Sequence, residues 1–94
     1  DIAAVLSEIG RQPKRFKSLA SDYSDRIIFG TDYFAGDKFP HIPYYRFLET
    51  MDRDFPYTPD GTYTQGLWNI SGCKLSEDVL RKIYCENARR IFNI

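Results

Sequence analysis

Residues 26–33 read Arg26-Ile27-Ile28-Phe29-Gly30-Thr31-Asp32-Tyr33. Three consecutive apolar residues rich in β-branching, closed by a glycine, predict a short strand buried on both faces. Strands of that kind belong to parallel sheets, and one such strand makes no sheet. The segment therefore implies either that strands are missing or that the chain pairs with a second copy of itself. Asp32 falls just past the carboxyl end of this strand, where α/β folds place their chemistry. From position alone it is equally an ordinary cap of the following turn.

Upstream, Ile2, Val5, Leu6 and Ile9 recur at the i, i+3, i+4, i+7 spacing of an amphipathic helix. Gly10 then suits a left-handed position after a helix end. Pro13 suits the first turn of a second helix, with Phe16, Leu19, Ala20 and Tyr23 on its apolar face. Arg11, Lys14, Arg15 and Lys17 lie on the other face; a solvated helix surface explains them more simply than a phosphate site. Ser21 to Asp25 reads as a turn leading into the strand.

Downstream, residues 35–41 form a loop. Gly36-Asp37-Lys38 within it lacks the first glycine and the Ser/Thr of a P-loop. Pro43 opens a third helix with a stripe of Tyr44, Phe47, Leu48, Met51 and Phe55, a pattern of core packing. Residues 56–74 are irregular, with a turn at Pro59-Asp60-Gly61 and Trp68 packed beneath the excursion. Asn69-Ile70-Ser71 matches a glycosylation acceptor but has no secretory signal to give it meaning. The last helix is the clearest: Ser76 as N-cap, Glu77 and Asp78 in the first turn, and Val79, Leu80, Ile83, Tyr84, Ala88, Ile91 and Phe92 as the buried face. Asn87 lies on that stripe, where a buried amide must be hydrogen-bonded; it is expected to tie a neighbouring loop to the helix.

The 94 residues allow one small domain. Thirteen Lys and Arg balance thirteen Asp and Glu, which argues against a general nucleic-acid binder. No apolar run approaches the roughly 20 residues of a bilayer span, so no membrane partner is expected. Cys73 and Cys85 are too few for a disulfide scaffold, and free thiols fit a cytoplasmic location. A lone His41 and two cysteines twelve apart make no zinc site. A Cys–His nucleophilic pair has no local support. The fifteen aromatic residues are more than so short a chain easily hides, so some face a partner or an absent part of the fold.

The two best-defined segments also carry a family resemblance. Residues 26–33 resemble the R-(I/L)-(I/L)-F-G-T-D-(Y/F/W) segment of the amidohydrolase-related family, which includes metal-dependent hydrolases and aminocarboxymuconate-semialdehyde-decarboxylase-like enzymes. Leu75 to Phe92 resembles that family's terminal helix, L-x-K-I-(Y/L)-x-x-N-A-x-R-(I/L)-F, through Leu80, Lys82, Ile83, Tyr84, Asn87, Ala88, Arg90, Ile91 and Phe92. Pro13, Phe16 and Leu19 keep the rhythm of the helix before the strand, so the resemblance runs from about Pro13 to Phe92.

The resemblance implies an α/β parent. This chain (residues 1–94) is then the C-terminal fragment of a (β/α)8 TIM barrel: the last helix–strand–helix unit plus the terminal helix. By itself the chain is expected to be mainly α-helical with one short parallel-type strand. The family role that carries over is that of Asp32, as metal ligand and as the catalytic acid/base that takes a proton from metal-bound water; Gly30 would allow close approach to the metal. The other ligands, histidines of earlier strands, are absent here, and a barrel needs roughly 200 residues or more. A divalent metal, zinc first, is thus implied for the full-length parent and none for the isolated chain, which is expected to be inactive. The parent would hydrolyse or decarboxylate a small cyclic or carboxylated molecule. The fragment is expected to self-associate, through residues 26–30. The alternative is a free-standing helical interaction module without catalysis.

Overall fold

The computed structural model describes residues 1–3, 5–31 and 41–94. Its elements are α1 (Leu6–Ile9), α2 (Pro13–Asp22), a 3-10 turn (Ser24–Arg26), α3 (Ile42–Glu49), α4 (Glu77–Arg81), a π-helical turn (Lys82–Glu86) and α5 (Asn87–Phe92). Among the described residues there is no strand, only one antiparallel bridge between Phe55 and Ile70. None of the helices is long and apolar enough to cross a membrane.

The core forms where the apolar faces of the helices converge. Tyr44, Phe47 and Leu48 of α3 are buried together with Phe16 and Ala20 of α2. The Phe16 and Phe47 rings lie 5.4 Å apart, centroid to centroid, at 50°. Leu6 and Ile2 close one side, and Ile83 of the π turn closes another.

The 50–75 segment is irregular, as its Pro and Gly content implies, but it is not loose. Its return leg satisfies the carbonyls that the end of α3 leaves without helical partners. Cys73 N–H donates to Phe47 O at 2.8 Å, Leu75 N–H to Leu48 O at 2.8 Å and Lys74 N–H to Thr50 O at 3.1 Å. Phe55, Tyr57, Ile70, Cys73 and Leu75 are buried in consequence. At the turn, Asp60 Oδ1 accepts from Thr62 N–H at 3.1 Å and from Thr62 Oγ1 at 2.8 Å, with Gly61 at a φ of 83°. These bonds hold the Asp60 carboxyl below the usual carboxylate range, the Thr62 hydroxyl contributing most. Trp68 packs half-buried against the core and donates its indole N–H to Ser7 O at 2.8 Å. Ser7 Oγ also donates to Gln65 Oε1, so the excursion is tied down onto α1.

Several expectations need correction. The strand at residues 26–30 does not form: Ile27 is extended, at φ −110° and ψ 132°, but among the described residues no second strand lies beside it. Phe29 N–H donates instead to Ile83 O, at 2.9 Å, on the terminal helix. A ladder needs a partner, and the described residues supply none. The first helix is a single turn, and Val5 is exposed. The third helix stops at Glu49, so Met51 is 70% exposed while Phe55 enters the core from the loop. Leu19, Tyr23, Ile91 and Phe92, assigned to buried faces, are all more than half exposed. For the last two the π turn is part of the reason. Its wider i→i+5 spacing shifts the register that a 3.6-residue period assumes.

Gly10 is not left-handed either, with φ −69° and ψ −14°. Glycine is needed there for space: a Cβ would stand 2.5 Å from both Cβ and Cγ2 of Ile70 and 2.9 Å from Leu6 O. Ile70 is itself buried and bonded in both directions to Phe55. Gly10→Ala is therefore expected to cost about 1–3 kcal/mol, read as a lower urea midpoint with an unchanged slope.

Candidate functional site

Asp32 lies outside the described residues, as do Tyr33 and the Gly36-Asp37-Lys38 loop. The structure does describe the segment that leads to Asp32, and what holds that segment is informative.

Three polar residues of the terminal helix converge on the turn that opens this segment. Asn87, fully buried, donates through Nδ2 to Ser24 O at 2.6 Å and to Ile27 O at 2.8 Å. Its Oδ1 is buried without a hydrogen-bond partner, so the side chain acts here as a donor. Lys82 Nζ reaches Ser24 Oγ at 3.3 Å and pairs with Asp25 Oδ1 at 3.2 Å. Arg90 donates through Nη2 to Asp25 O, and its Nη1 lies 3.9 Å from Asp25 Oδ1. The expectation that Asn87 ties a loop to the helix thus holds, and the loop is the one that precedes Asp32.

One step further on, Phe29 is boxed by aromatic rings. Tyr84 stands edge-on at 5.3 Å, Tyr44 edge-on at 5.7 Å, Tyr45 stacked at 5.7 Å and His41 edge-on at 5.7 Å. Tyr84 Oη donates to Glu49 Oε2 at 2.7 Å, which fixes that ring against α3. Backbone and side chain of Phe29 are therefore both held, three residues before Asp32. Such offset and edge-on ring pairs add about 0.5–1.5 kcal/mol each beyond burial. At Gly30 the nearest described atoms that a Cβ would meet are side-chain atoms of Asp1 and Ala3, at 3.6–3.8 Å, which is ordinary contact.

His41 is part of the aromatic box, packed against Phe29 and Tyr45. Cys73 is buried, and desolvation pushes its thiol up to about 12, so it is no ready nucleophile. Burial likewise raises Tyr84 above its ordinary value, helped by its hydrogen bond to the negatively charged Glu49 carboxylate. Both groups ionise more readily unfolded than folded. Their contribution to stability is complete below the unfolded thiol value near 9 and is lost as pH rises from there. The urea midpoint is expected to fall steadily between pH 9 and 11, and to fall less steeply in Cys73→Ala.

Among the described residues no three His, Cys, Asp or Glu side chains stand close enough together to hold a metal ion. These residues do not, on their own, fit one.

The two segments joined by Asn87, Lys82 and Arg90 are the same two that resemble one family, and a family model tests that directly. The amidohydrolase family model matches residues 13–94. The chain belongs to the amidohydrolase family. Amidohydrolases are in general TIM-barrel hydrolytic enzymes, and they commonly bind divalent metals. No curated protein and no solved structure matches the chain. About half helical and without a described strand, the chain is consistent with a fragment of such a barrel. The residues that sequence reading missed are Lys82 and Arg90 as partners of Asp25. The family pattern includes both, but only the fold shows that one side of the terminal helix grips the 24–27 turn.

Proposed function

We propose that these 94 residues are the C-terminal part of a metal-dependent amidohydrolase barrel of the aminocarboxymuconate-semialdehyde-decarboxylase-like kind. Its substrate is a small cyclic or carboxylated molecule, which it hydrolyses or decarboxylates. The observation that carries this reading is the clamp of Asn87, Lys82 and Arg90 on residues 24–27. It binds the terminal helix of the family pattern to the segment that ends in the family's aspartate. In this reading the clamp and the Phe29 box keep residues 27–31 extended, the conformation of a barrel's last strand, and present Asp32 as one carboxylate of a metal site. The remaining ligands come from chain outside these 94 residues, since a single carboxylate does not hold a divalent ion. Zinc is the first candidate for that ion.

Exposure of Leu19, Tyr23, Ile91 and Phe92 supports the same reading. These are surfaces that neighbouring elements of a barrel would cover, and uncovered they favour self-association. Light scattering on the isolated chain at high concentration is expected to show species larger than a monomer.

The test is a turnover assay with added zinc or manganese. The isolated 94-residue chain is expected to show none of the family's activities, whereas the longer protein turns over and retains metal through purification. Family-type turnover by the isolated chain would overturn the proposal.

A further inference from the structure

We infer that the groove between the start of α2 and the 51–53 and 69–73 segments is a binding site for a small polyanion, a molecule carrying two or more phosphate groups. The groove measures about 950 Å³ and is lined by Arg11, Lys14, Arg15 and Lys17 and also by Arg53, with no carboxylate among its lining residues. A solvated helix face would account for the first four cations alone. It does not account for a fifth, brought from a different segment to the same concavity.

Four cations elsewhere have ion-pair partners, while Arg26, Lys74 and Arg89 stand without one among the described residues but line no groove with the other cations. Arg46 pairs with Asp52 at 2.8 Å, Arg81 with Asp78 at 3.6 Å, and both Lys82 and Arg90 with Asp25. None of the five groove cations has an ion pair among the described residues. The two carboxylates that flank Arg53 in sequence are already engaged: Asp52 by Arg46, and Asp54 by Asn69, whose Nδ2 donates to Asp54 Oδ1 at 3.0 Å. Arg11 is not free to swing, because its guanidinium stacks over the Trp68 ring at 4.3 Å.

Like charges gathered in a concavity walled by low-dielectric protein focus their field into it. In a chain of zero net charge this arrangement concentrates five positive charges without making the whole surface attractive to nucleic acid. The volume is at the upper end of the roughly 300–1,000 Å³ of small-molecule sites. One phosphate group would neutralise only part of the charge, which is why the ligand carries several. The inference is independent of any role of Asp32.

The probe is tripolyphosphate, titrated by calorimetry into the whole protein that carries this chain. Saturable one-site binding is expected, weakening about tenfold between 50 and 200 mM salt. Lys14→Glu and Arg53→Glu, exposed positions whose folding is checked by far-UV dichroism, are each expected to weaken binding at least about tenfold. Arg89→Glu, an exposed cation of α5 away from the groove, leaves it unchanged. Absence of saturable binding overturns the inference. So does an equal loss in Arg89→Glu, which would mean attraction to net charge alone. Tighter binding of a single-stranded oligonucleotide of the same charge also overturns it, in favour of a nucleic-acid surface.

Discussion

Asp32→Asn in the longer protein lowers turnover by about 10²–10⁴-fold, the range that a positioned acid/base group contributes, and leaves the unfolding midpoint nearly unchanged. The substitution keeps the shape of the side chain and removes its charge and its capacity to accept a proton. Residues 24–29 are held by Asn87, Lys82, Arg90 and the Phe29 box. The fold should therefore not register the change. An interaction module predicts the opposite pattern, with partner binding intact and no activity to lose. Steady-state kinetics and a urea titration on the same preparation separate the two. Turnover within twofold of the unsubstituted protein would remove Asp32 from the chemistry.

Asn87→Leu should cost about 2–4 kcal/mol, the sum for two carbonyls left without donors at about 1–2 kcal/mol each. Leucine is close in volume and suits burial, so a cavity is not the cause. What is lost is the Nδ2 group that serves Ser24 O and Ile27 O at 2.6 and 2.8 Å. Both of those residues are half-buried, so water replaces the missing donor only in part. Lys82→Ala and Arg90→Ala, by contrast, break ion pairs to an Asp25 whose side chain is 63% exposed. Each should cost less than about 1 kcal/mol. Denaturant midpoints of the three variants rank the contacts. Equal losses in all three would mean that the buried amide has no special part in joining the two segments.

The same contacts mark what the sequence makes legible. The position of Asn87 on an apolar stripe is enough to assign it a job, because a buried amide has to bond to something. The Ser76 cap is equally readable, and its Oγ accepts from Val79 N–H at 3.4 Å. The strand at residues 26–30 is not. Its composition favours an extended, buried segment, and Ile27 is extended, but a strand is a property of two chain segments and the second is not among the described residues. The outward turn of Ile91 and Phe92 is hidden for a different reason. A π turn at Lys82–Glu86 breaks the 3.6-residue period that the pattern relies on, and no residue type announces it. Arg53 cannot be joined to the α2 cations from sequence, since the contact between their segments depends on the path of the irregular 50–75 stretch.

The most direct measurement is the sequence of the reading frame upstream of Asp1. The proposal predicts roughly 150–250 further codons, encoding the earlier strands and their histidine ligands. An initiation codon immediately before Asp1 would contradict the proposal, because no metal site could then be assembled around Asp32 within one chain.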